Sequence, residues 1–254
     1  MKDMKEFKRK YGLALKVAAI VAVLAGIKLI LHYNGIEYIT MSNLFTTIIG
    51  GSIFLLGFIL AGTMTDYKES EKMPSEIAAS LENIYQEGLY IKKIKPEFNI
   101  NAHNKRLFDI VSLFRKDLEK SSKTKKSIEA VSKLSDSMIE MEKIGAPAGY
   151  ISRIKSEQGN MNKNMLRSFQ IKDTSFIPAA YAIVEIMAFV MTVFFLFLKL
   201  DPFIELLVPL AIVVYIFVYM LLFIKDIDDP FEGDGGYGDV DMFLLHEFEK
   251  KVRK

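Results

Sequence analysis

Four long apolar segments constrain the fold of this chain more than any other feature of its sequence. They cover residues 13–31, 44–64, 176–198 and 203–224. Each is close to the ~20 residues that a helix needs to cross a hydrocarbon core of ~30 Å. Charged residues are concentrated between the second and third segments. The sequence therefore predicts an all-α membrane protein, with four transmembrane helices in two hairpins and a cytosolic helical domain between them.

The basic residues predict the orientation of the spans, because cytoplasmic segments carry an excess of Lys and Arg. The N-terminal tail and the middle of the chain are rich in lysine, whereas the two short links have only Lys199. Both termini are therefore expected in the cytoplasm, with the chain crossing the plasma membrane four times. The predicted parts are a cytoplasmic tail (1–12), hairpin 1 (13–64), a cytosolic helical domain (65–174), hairpin 2 (175–225) and an acidic loop with a C-terminal helix (226–254).

The middle domain reads as a set of amphipathic helices. Apolar residues recur at helical spacing over residues 77–89, 107–118 and 128–141. A more polar helix over residues 148–169 leads into the third span. These stripes predict a helical core in water, separate from the membrane segments.

Composition excludes several classes of function. The chain has no cysteine, three histidines and a net charge of +2. These counts disfavour disulfides, thiolate metal sites and nucleic acid as a partner. No nucleophile–base pair is apparent, so an enzyme is not expected. The sequence 233–238 matches G-x-G-x-x-G, but a span precedes it and acids surround it, which predicts a loop and not a dinucleotide site.

An acidic run follows the fourth span, and two interpretations of it stay open. One is a solvated turn. The other is a cation-binding loop formed by Asp226, Asp229, Asp234 and Asp239, since hard cations such as calcium take carboxylate oxygens. The spacing is not that of an EF-hand, because Pro230 falls at a ligand position. No other cofactor is expected.

Three polar side chains lie inside or at the edge of the predicted spans. Glu185 is one helical turn beyond Tyr181 in the third span. An intramembrane carboxylate marks a pore or a proton relay, or it is hydrogen-bonded between helices. Both interpretations stay open, and a proton-coupled transporter would lack a second intramembrane acid. Lys28 is expected to extend its ammonium toward the membrane surface.

The second span combines glycines with bulky apolar residues. Gly50, Gly57 and Gly62 are small enough to let another helix approach closely, which explains their presence through packing alone. A sharper hypothesis is that one apolar face lines a hydrophobic constriction that gates by dewetting.

The ends of the second hairpin carry a family resemblance. Residues 177–181, Ile-Pro-Ala-Ala-Tyr, resemble the Ile-Pro-x-x-Tyr start of the third membrane segment of bestrophins. Residues 229–231, Asp-Pro-Phe, resemble the element after the last bestrophin span, and residues 65–72 are similar in placement to the polar continuation of the pore helix. The chain looks closest to divergent prokaryotic members of that superfamily.

This resemblance implies an oligomeric ion channel, most simply a pentamer, with passive flux of inorganic ions through a central pore lined by the second span. The pore neck would lie near Ile49, Ile53 and either Gly57 or Phe58. Asp229 stands where animal bestrophins have Asn in the calcium clasp, so the resemblance does not imply that gating by calcium is preserved. The alternative is a membrane-anchored scaffold whose cytosolic domain binds a protein partner.

Overall fold

The chain folds almost entirely into helices. The computed structural model describes residues 2–119, 125–174, 178–231 and 236–253. Within these residues there are eight helices and no strand, apart from an isolated parallel bridge between Ile39 and Leu198. The helices are α1 (Lys2–Tyr33), α2 (Asn43–Ile94), α3 (Ile100–Glu119), α4 (Lys126–Lys143), α5 (Ala148–Asp173), α6 (Pro178–Phe197), α7 (Phe203–Asp228) and α8 (Phe243–Val252). The predicted all-α class is confirmed.

Four of these helices have the length and apolar composition of membrane spans. They are α1, α2, α6 and α7: α1, α2 and α7 contain the predicted segments 13–31, 44–64 and 203–224, and α6 covers residues 178–197 of the predicted 176–198. Helix α2 is 52 residues long, far more than a bilayer requires. It continues through Pro74. One helix therefore includes both the predicted second span and the first amphipathic stripe of the middle domain.

The chain divides into two compact units. The first, which we call the membrane unit, comprises Met1–Asp66, Ser175–Asp229 and Gly235–Gly238. The second, which we call the helical unit, comprises Tyr67–Thr174, Pro230–Asp234 and Asp239–Lys254. Helix α2 contributes its first part to the membrane unit and its second part to the helical unit.

The membrane unit packs α1, α6, α7 and the first part of α2 around an apolar core. Its buried side chains include Val17, Leu56, Val184, Phe195, Val214 and Phe217. The two short links also pair with each other through their backbones: the Ile39 amide donates to the Phe197 carbonyl at 3.1 Å, and the Lys199 amide donates to the Ile39 carbonyl at 2.7 Å. Hairpin 1 and hairpin 2 are thus joined at the ends of their links.

The helical unit buries the stripes predicted from helical spacing. On α3 the five predicted residues are all buried, and on α4 four of the five are: Leu107, Ile110, Val111, Phe114 and Leu118, then Val131, Leu134, Met138 and Met141. Burial of apolar area of this kind is the main favourable term in folding. This part of the prediction is confirmed.

A glycine on α2 makes room for a buried histidine in the helical unit. A Cβ at Gly88 would lie 2.7 Å from the His103 ring. The His103 Nε2 atom is 3.4 Å from the Ile84 carbonyl, and its Nδ1 atom has no partner among the described residues. Burial lowers the pKa of His103 to about 4, so the imidazole is neutral at physiological pH.

Candidate functional site

The first part of α2 packs only one of its faces into the membrane unit. The buried residues on this face recur every three, four or seven positions, which is the spacing of one side of a helix: Phe45, Ser52, Leu56, Ile59 and Thr63. The Thr63 hydroxyl donates to the Ile59 carbonyl of its own helix at 3.1 Å, which satisfies the polar group. This face fixes the rotation of α2 about its axis.

The opposite face of α2 is apolar and has no packing partner within the described chain. Phe54 is 75% exposed and Phe58 is 71% exposed. Around Gly50 and Gly57, no described atom outside the helix lies within 4 Å of the position that a Cβ would take. The glycines therefore do not serve close packing inside this chain, which leaves the constriction hypothesis or contact with another molecule to explain them.

Ile49, Ile53 and Gly57 recur every four positions and form one row along α2, whereas Phe58, the alternative to Gly57, lies outside that row. Ile49 is partly buried and packs against the membrane-unit core, whereas Ile53 is 43% exposed. Gly57 and Phe58 both lie on the exposed side, but successive residues are about 100° apart around a helix. Their role in a pore stays a prediction. Ile49 is the candidate that the structure places closest to the packed face.

Sequence reasoning missed Phe54 as a neck candidate. It lies two residues from both Ser52 and Leu56, so it is about 200° around the helix from each of these buried positions. Its side chain points away from the core as directly as any on this helix. The signal in the sequence was the four-residue spacing of Gly50, Phe54 and Phe58, which could be recognised only once the packed face was known.

Tyr181 links three helices of the membrane unit. Its hydroxyl is buried and lies beside Thr63 of α2 and Asp228 of α7. Tyr181, the last residue of the bestrophin-like motif at 177–181, is thus in contact with α2. Ile177 itself lies outside the described residues.

Glu185 forms an ion pair between α6 and α7. Its Oε1 atom is 2.5 Å from the Lys225 Nζ atom, and the two side chains are 53% and 46% exposed. Of the two interpretations left open, hydrogen bonding between helices describes what this carboxylate does within the chain. Glu185 is not buried in the chain, and its charge is balanced on the surface of the membrane unit.

Of the four candidate cation-binding residues, Asp226 has the clearest role in the structure. The Asp226 carboxylate accepts hydrogen bonds from the backbone amides of Tyr237 at 3.0 Å and Gly238 at 2.7 Å. Asp229 belongs to the membrane unit and Asp239 to the helical unit, while Asp234 lies outside the described residues. In the part of the chain that the structure describes, no three acidic, His or Cys side chains are grouped for a metal. Asp226 anchors the loop after α7.

Lys28 directs its ammonium toward the links at the ends of the spans, and its extension to the membrane surface stays a prediction. Its side chain is 0% exposed. The Nζ atom donates to Glu37 Oε1 at 2.5 Å, to the Leu196 carbonyl at 3.2 Å and to the Leu198 carbonyl. Buried acceptors in the link after α1 and at the end of α6 thus bind the ammonium in place of water.

Solved structures match this chain in fold, while no protein-family model and no curated protein matches it. Two mutants of a bacterial bestrophin homolog from Klebsiella pneumoniae have TM-scores of 0.75 and 0.72 at 12% and 11% identity, covering 93% and 94% of this chain and 97% of each of theirs. A further structure of a bestrophin homolog from that organism has a TM-score of 0.72 at 13% identity, covering 94% of this chain and 95% of its own. This chain has the fold of bacterial bestrophin homologs, and the predicted resemblance is confirmed at the level of fold.

Proposed function

We propose that this membrane protein is an oligomeric ion channel in which the exposed apolar face of α2 lines a central pore. The observation that carries the proposal is that face itself: Phe54 and Phe58 project from a helix of membrane-spanning length whose other side packs into the core. The likeness in fold to bestrophin homologs supports the same conclusion. Flux would be passive, with no catalysis.

The mechanism follows from the order of side chains along this face. Apolar residues and glycines occupy it from Gly50 to Ala61, a length of about 16 Å at 1.5 Å per residue. Thr47 and Thr65 lie beyond the two ends, and their hydroxyls donate back to carbonyls of the same helix. A short apolar constriction between polar ends controls ion flow by wetting and dewetting. Phe54 would form its narrowest ring, with Ile53, Gly57 or Phe58 beside it.

The assembly and topology in this proposal come from the resemblance and from the charge pattern. The protein would form a homo-oligomer, most simply a pentamer, in the plasma membrane of a prokaryotic cell. Its termini and residues 65–174 would lie in the cytoplasm, and the inorganic ions would cross between five copies of α2. Asp226 would serve to fix the loop after α7, since its carboxylate accepts hydrogen bonds from two backbone amides.

The scaffold alternative has less support. It needs the exposed faces of the helices over residues 107–141 to bind a protein partner. The apolar stripes of these helices are buried in the core of the helical unit, with Leu107, Leu134 and Met141 all 0% exposed. Their remaining faces are mainly polar, which gives a partner little apolar area to cover.

The decisive experiment measures ion flux in liposomes that contain the purified protein. Wild type is expected to conduct, and Phe54→Ala is expected to raise flux severalfold, because a wider and less apolar ring wets more easily. Phe189→Ala on α6 is the matched control, since that side chain is equally aromatic and 69% exposed. A protein that is monomeric and conducts no ion would refute the proposal, as would equal flux in the two variants.

A further inference from the structure

A completely buried lysine lies where the two hairpins meet. Lys28 is on α1, and its three acceptors come from two other elements: Glu37 in the link after α1, and the carbonyls of Leu196 and Leu198 at the end of α6. An ammonium has three N–H donors. All three are used, so none is left for a permeating ion. The geometry indicates a structural connection and not an ion-binding site.

The end of α6 explains why a lysine can be buried there. The last carbonyls of a helix have no partner within the helix, and they carry its partial negative charge. Lys28 supplies both a donor and a positive charge to Leu196 and Leu198. Removing one partner of a buried ion pair leaves the other charge uncompensated, which is strongly destabilising. The connection is therefore expected to be sensitive to single substitutions.

Glu37 completes the connection. Its Oε1 atom accepts from Lys28, its Oε2 atom is 3.0 Å from His32 Nδ1, and its side chain is only 7% exposed. Burial raises the pKa of Glu37, but the hydrogen bonds from Lys28 and His32 outweigh it, so the pKa lies below its usual value and the carboxylate is charged. The His32 ring also stacks on Phe203 at 3.8 Å between centroids, which adds the start of α7.

The same link leads directly into α2. Ile39 is held by two backbone hydrogen bonds to Phe197 and Lys199, and α2 begins four residues later at Asn43. The Ser42 hydroxyl accepts from the Phe45 amide at 3.3 Å, within the first turn. Whatever fixes the link therefore fixes the start of the helix whose exposed face is proposed to line the pore.

We propose that Lys28 and Glu37 form a hairpin clamp that positions the start of α2 and thereby sets the mouth of the pore. The clamp is defined by Lys28, Glu37, His32 and the carbonyls of Leu196 and Leu198. It is a positioning device, since every donor of Lys28 is used within the protein. Its effect on ion flow rests on the proposed channel function, whereas its effect on the link between α1 and α2 does not.

The test uses full-length protein in lipid nanodiscs and liposomes, with Lys28→Met and Glu37→Gln as variants. Lys16→Met is the matched control, because Lys16 is exposed on the same helix. Hydrogen exchange at the Ile39 and Lys199 amides is expected to become about tenfold faster, or more, in Lys28→Met. Glu37→Gln should show a smaller change, because an amide still accepts a hydrogen bond, and Lys16→Met should show none. Flux per folded oligomer should fall severalfold in Lys28→Met.

The outcomes separate the clamp from the channel. If Lys28→Met does not fold, Glu37→Gln, which keeps the side-chain shape, carries the test. Unchanged exchange at Ile39 and Lys199 in the folded variants overturns the clamp. If the wild type conducts, and the variants show faster exchange but the same flux as the wild type, the role of the clamp at the pore mouth is overturned. A wild type that conducts no ion refutes the channel, while faster exchange would still support the clamp itself.

Discussion

The two parts of α2 use the same helix in opposite ways. In the helical unit most of its apolar residues face the core, and residues such as Met73, Ile77 and Leu81 are at most 3% exposed. In the membrane unit the buried stripe is equally regular, but the far side carries exposed aromatic residues, Phe54 and Phe58. A helix in water cannot leave such side chains uncovered at low cost. The difference shows that the first part of α2 leaves an apolar face free for lipid, a second copy or a pore, whereas the second part buries most of its apolar residues within the chain.

The largest expected effect comes from truncating the packed face of the second part. Leu81→Ala removes a side chain that is 0% exposed and should lower the free energy of unfolding of the helical unit by about 2–5 kcal/mol. Phe54→Ala, its counterpart on the open face, should change that free energy by less than about 0.5 kcal/mol. Hydrogen exchange of the helical-unit amides under increasing denaturant measures both. Similar losses in the two variants would abolish the contrast between the two parts of α2.

The next effect is a dependence on pH that His103 should give to the helical unit. Because the pKa of His103 is about 4 when folded and near 6.5 when unfolded, the unfolded chain binds the proton first as pH falls. Stability should be fully present above pH ~6.5 and decrease by about 3 kcal/mol as pH falls toward 4. His103→Leu should remove most of this slope. Hydrogen exchange at α3 amides measures the slope of stability against pH. An unchanged slope in that variant would show that another group is responsible for the pH dependence.

The smallest effect compares one glycine from each part of the helix. Gly88→Ala should destabilise by about 1–3 kcal/mol, because the new Cβ would lie 2.7 Å from the His103 ring. Gly57→Ala meets only open space within the described chain, so the higher helix propensity of Ala should make it neutral or slightly stabilising. Thermal unfolding of the two variants in detergent checks the pair. A loss in Gly57→Ala as large as that in Gly88→Ala would indicate that a second copy packs closely against Gly57.

Sequence reasoning succeeded where water imposes a pattern. The stripes of α3 and α4 could be predicted because only one side of a helix in water is apolar. Helices α6 and α7 are apolar all round, so their existence could be predicted but not which side packs. The same limit hid the role of Phe54, since its direction depends on where Ser52 and Leu56 are buried.

Tertiary partners that are distant in the sequence could not be predicted at all. Lys28 was expected at the membrane surface because a lone lysine in an apolar segment usually extends there. Its acceptors at Leu196 and Leu198 are about 170 residues away, and nothing in the local sequence marks them. The loop after α7 is a similar case: its acids suggested a cation, whereas Asp226 is engaged by two amides eleven and twelve residues on.

The amides that Asp226 holds also have a consequence for how this sequence can change. They place the Tyr237 ring against Gly12 of α1, so closely that a Cβ at position 12 would overlap the ring. Gly12 is not free to vary alone: a side chain at position 12 requires a smaller residue at position 237. Related sequences should therefore show these two positions, 225 residues apart, changing together. Such covariation would record a contact that no local motif reveals.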